Sequence, residues 1–190
     1  MRNMNETIVF GGGCFWCTEA VFNMLKGVVS VEPGYAGPST SASSRDSASR
    51  DSGQAVTYEY VSTGKTPYVE SAKIVYEPEK IAFDELLQVF FSSHDPTTPN
   101  RQGNDVGPQY RSVVFTTSQR QKEKTEHYIK MIAAGYSKPI VTTVEPLEHF
   151  YLAEDYHQKY YENHKDAGYC QLVIAPKVEK VQEKFKNLLK

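Results

Sequence analysis

The chain is poor in cysteine, with three among 190 residues, and it has a single tryptophan. An odd and small cysteine count argues against the disulfide framework of a small secreted domain, and leaves redox, catalytic or metal-binding roles for the thiols. No apolar run approaches the roughly 18 residues of a membrane span. Neither charge sign is in excess, with Lys+Arg 21 against Asp+Glu 23. Nothing therefore draws the chain to a phosphate backbone or an anionic lipid surface, so neither nucleic acid nor membrane is expected as a partner. The first residues contain no apolar segment of the export-signal kind, which makes a cytoplasmic location the expectation. With 39% hydrophobic residues, a chain of this length buries roughly 70% of its unfolded surface and needs no staple. One domain over 1–190 is expected.

What is present alternates between strand and helix patterns. Glu6 to Phe10 is a short β-branched run ending in Gly11-Gly12-Gly13, which predicts a buried strand and a tight turn. From Cys14 the spacing of Phe15, Val21, Phe22 and Leu25 becomes helical, with Gly27 as a C-cap. Strands are predicted at Val28–Val31, Val69–Val75, Ser112–Thr116 and Ile140–Val144. Helices are predicted at Phe83–Phe91, from Ser118 to about Ala134, at Asp155–His164, and from Pro176 to Leu189. His94 to Gln109 is rich in Pro, Gly, Asn and Asp and reads as a long functional loop. Residues 38–53 carry the repeat Ser44-Arg-Asp-Ser-Ala48, Ser49-Arg-Asp-Ser-Gly53. They offer little to a core, so a flexible Ser-rich surface loop is expected. The alternation gives an α/β or α+β domain.

The chemistry concentrates in Gly11-Gly12-Gly13-Cys14-Phe15-Trp16-Cys17. A thiol at the start of a helix meets free N–H groups and the positive end of the helix dipole, which favour a thiolate. Phe15 and Trp16 beside it are suited to holding a methyl or thioether. Three readings stand at this point. Cys14 is a redox nucleophile; or C-x-x-C is half of a zinc site completed by Cys170 and His164; or Cys14 is a core cysteine. Zinc lacks a second C-x-x-C or an H-x3-H pair, and the triple glycine speaks for close backbone approach rather than core packing.

Gly12-Gly13-Cys14-Phe15-Trp16-Cys17 resembles the signature of the A-type peptide methionine sulfoxide reductases, in the subset with Cys after Trp. The resemblance continues in order through Gly34-Tyr35-Ala36-Gly37, Thr57-Tyr58-Glu59, Glu70 and its neighbours, and His94-Asp95-Pro96. It extends to the block from Arg101 through Asp105 to Tyr110, to Ala153-Glu-Asp-Tyr-His157 and to Gly168-Tyr-Cys170. It covers roughly residues 6–176 apart from the Ser-rich segment.

The resemblance implies an α+β two-layer sandwich with a ferredoxin-like core and added elements. It implies reduction of methionine S-sulfoxide, free or in proteins, with thioredoxin as reductant and no cofactor or metal. Cys14 would attack the sulfoxide sulfur, release methionine and become a sulfenic acid. Glu70 would be the acid, provided burial keeps it protonated. Tyr58 and Tyr110 would hold the oxygen and water, Asp105 would fix the arrangement, and Phe15 and Trp16 would cage the methyl. Cys170 and Cys17 are the resolving cysteines. Cys170, placed in a stretch of little apolar content, is expected to swing in first, with Cys17 exchanging into that disulfide. The other histidines, His127, His149, His157 and His164, read as surface or capping groups.

The chain departs from the family pattern at Pro67-Tyr68, where Gly-His is common, and in residues 38–53, which replace a shorter connection. A monomer is expected. The alternatives are a general dithiol oxidoreductase and a Cys3His zinc-binding interaction module.

Overall fold

The computed structural model describes residues 5–39 and 55–190. The loop expected at 38–53 lies, beyond its first two residues, outside them. The chain runs β1 (Glu6–Gly11), α1 (Phe15–Asn23), β2 (Val28–Gly37), α2 (Tyr58–Ser62), β3 (Val69–Tyr76) and α3 (Phe83–Ser93). It continues through the short ribbon β4 (Arg101–Gln102) and β5 (Asp105–Val106), then β6 (Val113–Thr116), α4 (Gln119–Ile132), β7 (Thr143–Pro146), β8 (His149–Leu152), α5 (Tyr160–Asn163) and α6 (Ala175–Lys184).

Six strands form one sheet in the order β7-β6-β1-β3-β2-β8. Its four central strands, β6-β1-β3-β2, pair antiparallel with one another and connect as β1-α1-β2-β3-α3-β6. That is the ferredoxin-like arrangement, and the added strands extend each edge. β7 joins β6 in parallel, and β8 pairs with β2 through Gly34–Gly37. The close crossing depends on glycine: a Cβ at Gly34 would overlap the Phe150 ring and the Tyr151 carbonyl.

The alternation of the strands sends Ile8, Phe10, Ala72, Ile74, Tyr76 and Val114 to one face. There they pack against Val21, Phe22 and Leu25 from the α1 end and Leu86, Leu87 and Phe90 from α3. Val181, Phe185 and Leu188 of the C-terminal segment close the same core. Phe90 sits at its centre, stacked on Phe10 with ring centroids 4.4 Å apart. The opposite face carries a smaller cluster of Val9, Ala36, Val69, Val113 and Phe115.

Four expectations are corrected. The strand placed at Ile140–Val144 begins at Thr143, because Ile140 packs on the helical core and Val141 N–H bonds to the Pro96 carbonyl. The helix placed at Asp155–His164 is split into one 3-10 turn, Asp155–His157, and the short α5. Between them Lys159 adopts φ +53, and the buried Glu19 carboxylate accepts the N–H groups of Lys159 (2.6 Å) and Tyr160 (3.3 Å). The C-terminal helix stops at Lys184 and ends in a 3-10 turn, Lys186–Leu188, while Val178, Val181, Phe185 and Leu188 do form its buried face. Cys170 lies not in a loose stretch but fully buried in a π-helical run, Cys170–Ile174.

Removing the Phe90 ring leaves a cavity at the point where sheet and helices meet. Phe90→Ala should cost about 3–5 kcal/mol, seen as a lowered denaturant midpoint; a change below about 1 kcal/mol would contradict this placement of the core.

Candidate active site

β1 and β3 lie side by side, so the turn after β1 passes directly over β3. Gly13 makes that turn: its φ is +95, and a Cβ there would strike Gln102. Both facts demand glycine. Cys14 is then the N-cap of α1, one position before the first turn where the sequence placed it. A thiol caps poorly, and Cys14 makes no side-chain cap bond. The buried N–H of Phe15, which has no partner within the helix, instead donates to Glu70 Oε2 at 3.4 Å.

Glu70 is 2% exposed and sits opposite Tyr35 in the β2–β3 ladder. Burial pushes its carboxyl up to about 8, with the Phe15 N–H and the Tyr110 hydroxyl opposing the shift. A carboxylic acid is thus still protonated at neutral pH.

Cys14, Phe15, Trp16, Tyr58, Glu70, Asp105, Tyr110 and Tyr169 line one cavity of about 220 Å³. Seven of these eight residues were singled out in the sequence. They come from α1, α2, β3, the β4–β5 ribbon and the segment before β6, and only the fold brings them together. Burial raises the hydroxyls of Tyr58 and Tyr110, so both remain protonated donors.

Cys17 and Cys170 stand behind this cavity rather than in its lining. Both belong with Cys14 to one buried cluster that also holds Ala20, Ile174 and Val178. Cys17 follows Cys14 by one turn, its backbone N–H donating to the Cys14 carbonyl at 3.1 Å, and each thiol shifts the other's acidity. The expectation of a thiolate resting on Cys14 is corrected here. Burial, and then the neighbouring Cys17 thiol, hold the Cys14 proton well above the ordinary thiol range. The Cys14 thiol, and then the Lys177 ammonium 3.3 Å away, push Cys17 down to about 7 despite its burial. The two thiols therefore titrate as a pair.

His157 is a second correction. It is neither a surface nor a capping group but is 2% exposed. Its ring lies 5.0 Å from Phe15, 5.4 Å from Trp16 and 4.8 Å from Tyr58, with neither nitrogen hydrogen-bonded. His164 does cap, through Nδ1 and the Tyr160 carbonyl.

Four contributors were not assigned roles from sequence. Tyr169 donates to Asp105 Oδ2 at 3.0 Å and lines the same cavity as Cys14. Tyr160 stacks on Trp16 at 3.6 Å. Glu154 accepts from the Tyr35 hydroxyl and the Tyr58 N–H, both at 2.8 Å, and Lys177 reaches Cys17. Tyr169 had a signal, being adjacent to Cys170. The others are one tyrosine of 13, one of many surface-type acids, and a lysine in a lysine-rich tail.

Among the described residues, no group of three or more His, Cys, Asp and Glu is placed to hold a metal ion. A zinc module would need Cys14, Cys17, Cys170 and His164 on one ion. Nor is any described helix long and apolar enough to cross a membrane.

A buried thiol pair beside a neutral acid and an aromatic wall defines a thiol-dependent reductase. The family profile of peptide methionine sulfoxide reductase matches residues 6–189, and the chain belongs to that family. It is 48% identical over 180 residues to the peptide methionine sulfoxide reductase MsrA of Sulfolobus acidocaldarius, covering 95% of each chain. The MsrA of Picrophilus torridus is also 48% identical, over 184 residues and 96% of each chain. Among solved structures, reduced Mxr1 from Saccharomyces cerevisiae superposes with a TM-score of 0.76 at 32% identity, over 90% of this chain and 91% of that one. Methionine sulfoxide reductase A of Corynebacterium diphtheriae gives 0.72 at 35% identity, over 90% and 80%.

The displaced acidity of Glu70 carries a stability signature. The folded protein keeps a proton that an ordinary carboxyl near 4.5 releases. That contribution is whole below about pH 4.5 and is lost as pH rises through about 8. Glu70→Gln should therefore gain on the wild type as pH rises, by up to about 4 kcal/mol in melts between about pH 5 and pH 9. Parallel pH profiles would contradict the buried neutral acid.

Proposed function

We propose that the protein reduces methionine S-sulfoxide, free or in oxidised proteins, to methionine with Cys14 as nucleophile, and that thioredoxin restores the thiols. Family membership supplies the reaction class. The observation that carries the residue assignment is the shared cavity, in which a thiol, a buried neutral carboxyl and two tyrosine hydroxyls converge.

A sulfoxide oxygen is too basic to leave the sulfur unprotonated. Glu70 is the acid that supplies the proton, and its raised pKa keeps it loaded near neutral pH. Tyr58 and Tyr110 donate to the same oxygen as negative charge builds on it. Cys14 attacks the sulfur, methionine departs, and Cys14 is left as a sulfenic acid. Phe15 and Trp16 cage the methyl group, Trp16 being held flat by Tyr160. Asp105 orients the Tyr169 hydroxyl beside the nucleophile.

The order of resolution preferred here is the reverse of the sequence expectation. Cys17 stands one turn from Cys14, its N–H on the Cys14 carbonyl at 3.1 Å, whereas Cys170 is fully buried and must leave its π-helical run to move. Cys17 therefore closes the first disulfide, and Cys170 exchanges into it before thioredoxin acts. The reading takes residues 1–190 as one domain acting as a cytoplasmic monomer, with no metal or organic cofactor.

Two measurements test this. Cys14→Ser should abolish multiple turnover, because a hydroxyl is a far poorer nucleophile toward sulfur. Chiral chromatography should show loss of the S epimer alone. Turnover by Cys14→Ser, or equal loss of both epimers, would refute the assignment.

A further inference from the structure

We infer that Lys177 is a positioning residue of this reaction, the cation that holds the negative charge of the Cys14–Cys17 pair. The inference rests on the reading above of Cys14 and Cys17, and extends it to a residue outside the cavity.

The geometry is specific. Cys17 is 4% exposed, in the first turn of α1, and the half-buried Lys177 Nζ donates to its Sγ at 3.3 Å. Lys177 stands in the first turn of α6, directly after Pro176 and the π-helical run that carries Cys170. The other titratable groups around Cys17 oppose a negative charge there or are neutral: Asp105 is an acid, Glu70 a buried neutral carboxyl, Cys170 a buried thiol, and Tyr169 a protonated phenol. Among the groups that perturb Cys17, Lys177 is the cation. Its charge and its hydrogen bond both favour a thiolate on Cys17, against the burial that favours the thiol.

Charge on Cys17 has a use in both halves of the reaction. Cys17 accepts the Cys14 proton as Cys14 attacks the sulfoxide sulfur. Glu70 protonates the departing oxygen, which is transferred to Cys14 as the sulfenic hydroxyl, and the methionine sulfur is reduced. Cys17 then attacks the Cys14 sulfur. The S–S bond forms, the S–O bond breaks, and the hydroxide leaves as water with the proton that Cys17 had taken. Cys17 is oxidised, the sulfenic sulfur is reduced, and no outside reactant is needed until the disulfide meets a reductant. Glu70 recovers its proton from solvent.

The test is single turnover with one equivalent of methionine S-sulfoxide and no reductant, from about pH 5.5 to 9.5, in wild type, Lys177→Met and Lys177→Arg. Methionine release and the Cys14–Cys17 disulfide, located by peptide mapping, are followed together. A hydrogen bond to a charged group is worth enough to move the pair's lower pH midpoint up by about 1–2 units in Lys177→Met. At neutral pH both rates should fall by about 5- to 10-fold, because a more basic thiolate is scarcer but more nucleophilic. Lys177→Arg should keep the wild-type midpoint. Rates lowered equally at every pH, with the midpoint unmoved, would overturn the role of Lys177 and indicate packing alone. An unchanged Lys177→Met profile would overturn it as well. Absence of any Cys14–Cys17 link in wild type would instead overturn Cys17 as the resolving partner, a result separable from the other two.

Discussion

The Phe15 N–H reaches Glu70 across the turn between β1 and α1, and that contact fixes how far the nucleophile stands above the acid. It exists because β1 and β3 are hydrogen-bonded neighbours and because Gly13 allows a backbone that other residues resist. The same descent of α1 onto the sheet strips water from the Glu70 carboxyl. Its raised pKa is therefore first a consequence of burial by the fold, to which the nearby Asp105 and Cys17 add. An N-cap without a capping side chain is usually a weakness. Here it leaves a donor free for the carboxyl.

Two proton inventories, tuned in opposite directions, share this small volume. Burial keeps Glu70 and the tyrosines Tyr58 and Tyr110 protonated, ready to donate to an oxygen acquiring negative charge. The thiol pair is meanwhile drawn toward one negative charge by a cation approaching from α6. Acid and nucleophile chemistry at one pH require such a separation. The aromatic wall of Phe15, Trp16, His157 and Tyr160 keeps the low-polarity setting that makes both shifts large.

Much of this was readable in the linear chain. The β1-turn-α1 unit announces itself through Ile8, Val9 and Phe10 followed by three glycines, and the helical pattern of α3 and α4 is strong enough to survive any context. The ferredoxin-like order and the cavity residues were reached through resemblance, since Tyr58, Glu70 and Asp105 sit far apart in the sequence. Local pattern failed where tertiary demand overrode it. Ile140 was apolar for the sake of the helical core rather than a ladder. Asp155–His164 has a helical composition, yet the buried Glu19 carboxylate claims two N–H groups and forces Lys159 to φ +53. His157 gave no sign of burial because a histidine between polar residues normally faces solvent. The charge state of Cys14 was misjudged for a related reason: a helix N-terminus favours a thiolate only when desolvation does not outweigh it.

The protonation state of Glu70 at neutral pH is the point on which the chemistry turns, and it can be observed directly. Isotope-edited carbon NMR or infrared spectra of the reduced, substrate-free protein, with Glu70→Gln to assign the signal, would follow the Glu70 carboxyl through a pH titration. A midpoint near 8 is expected. A carboxylate already ionised below about pH 5, as for an ordinary solvated glutamate, would remove the acid from the site and contradict the mechanism.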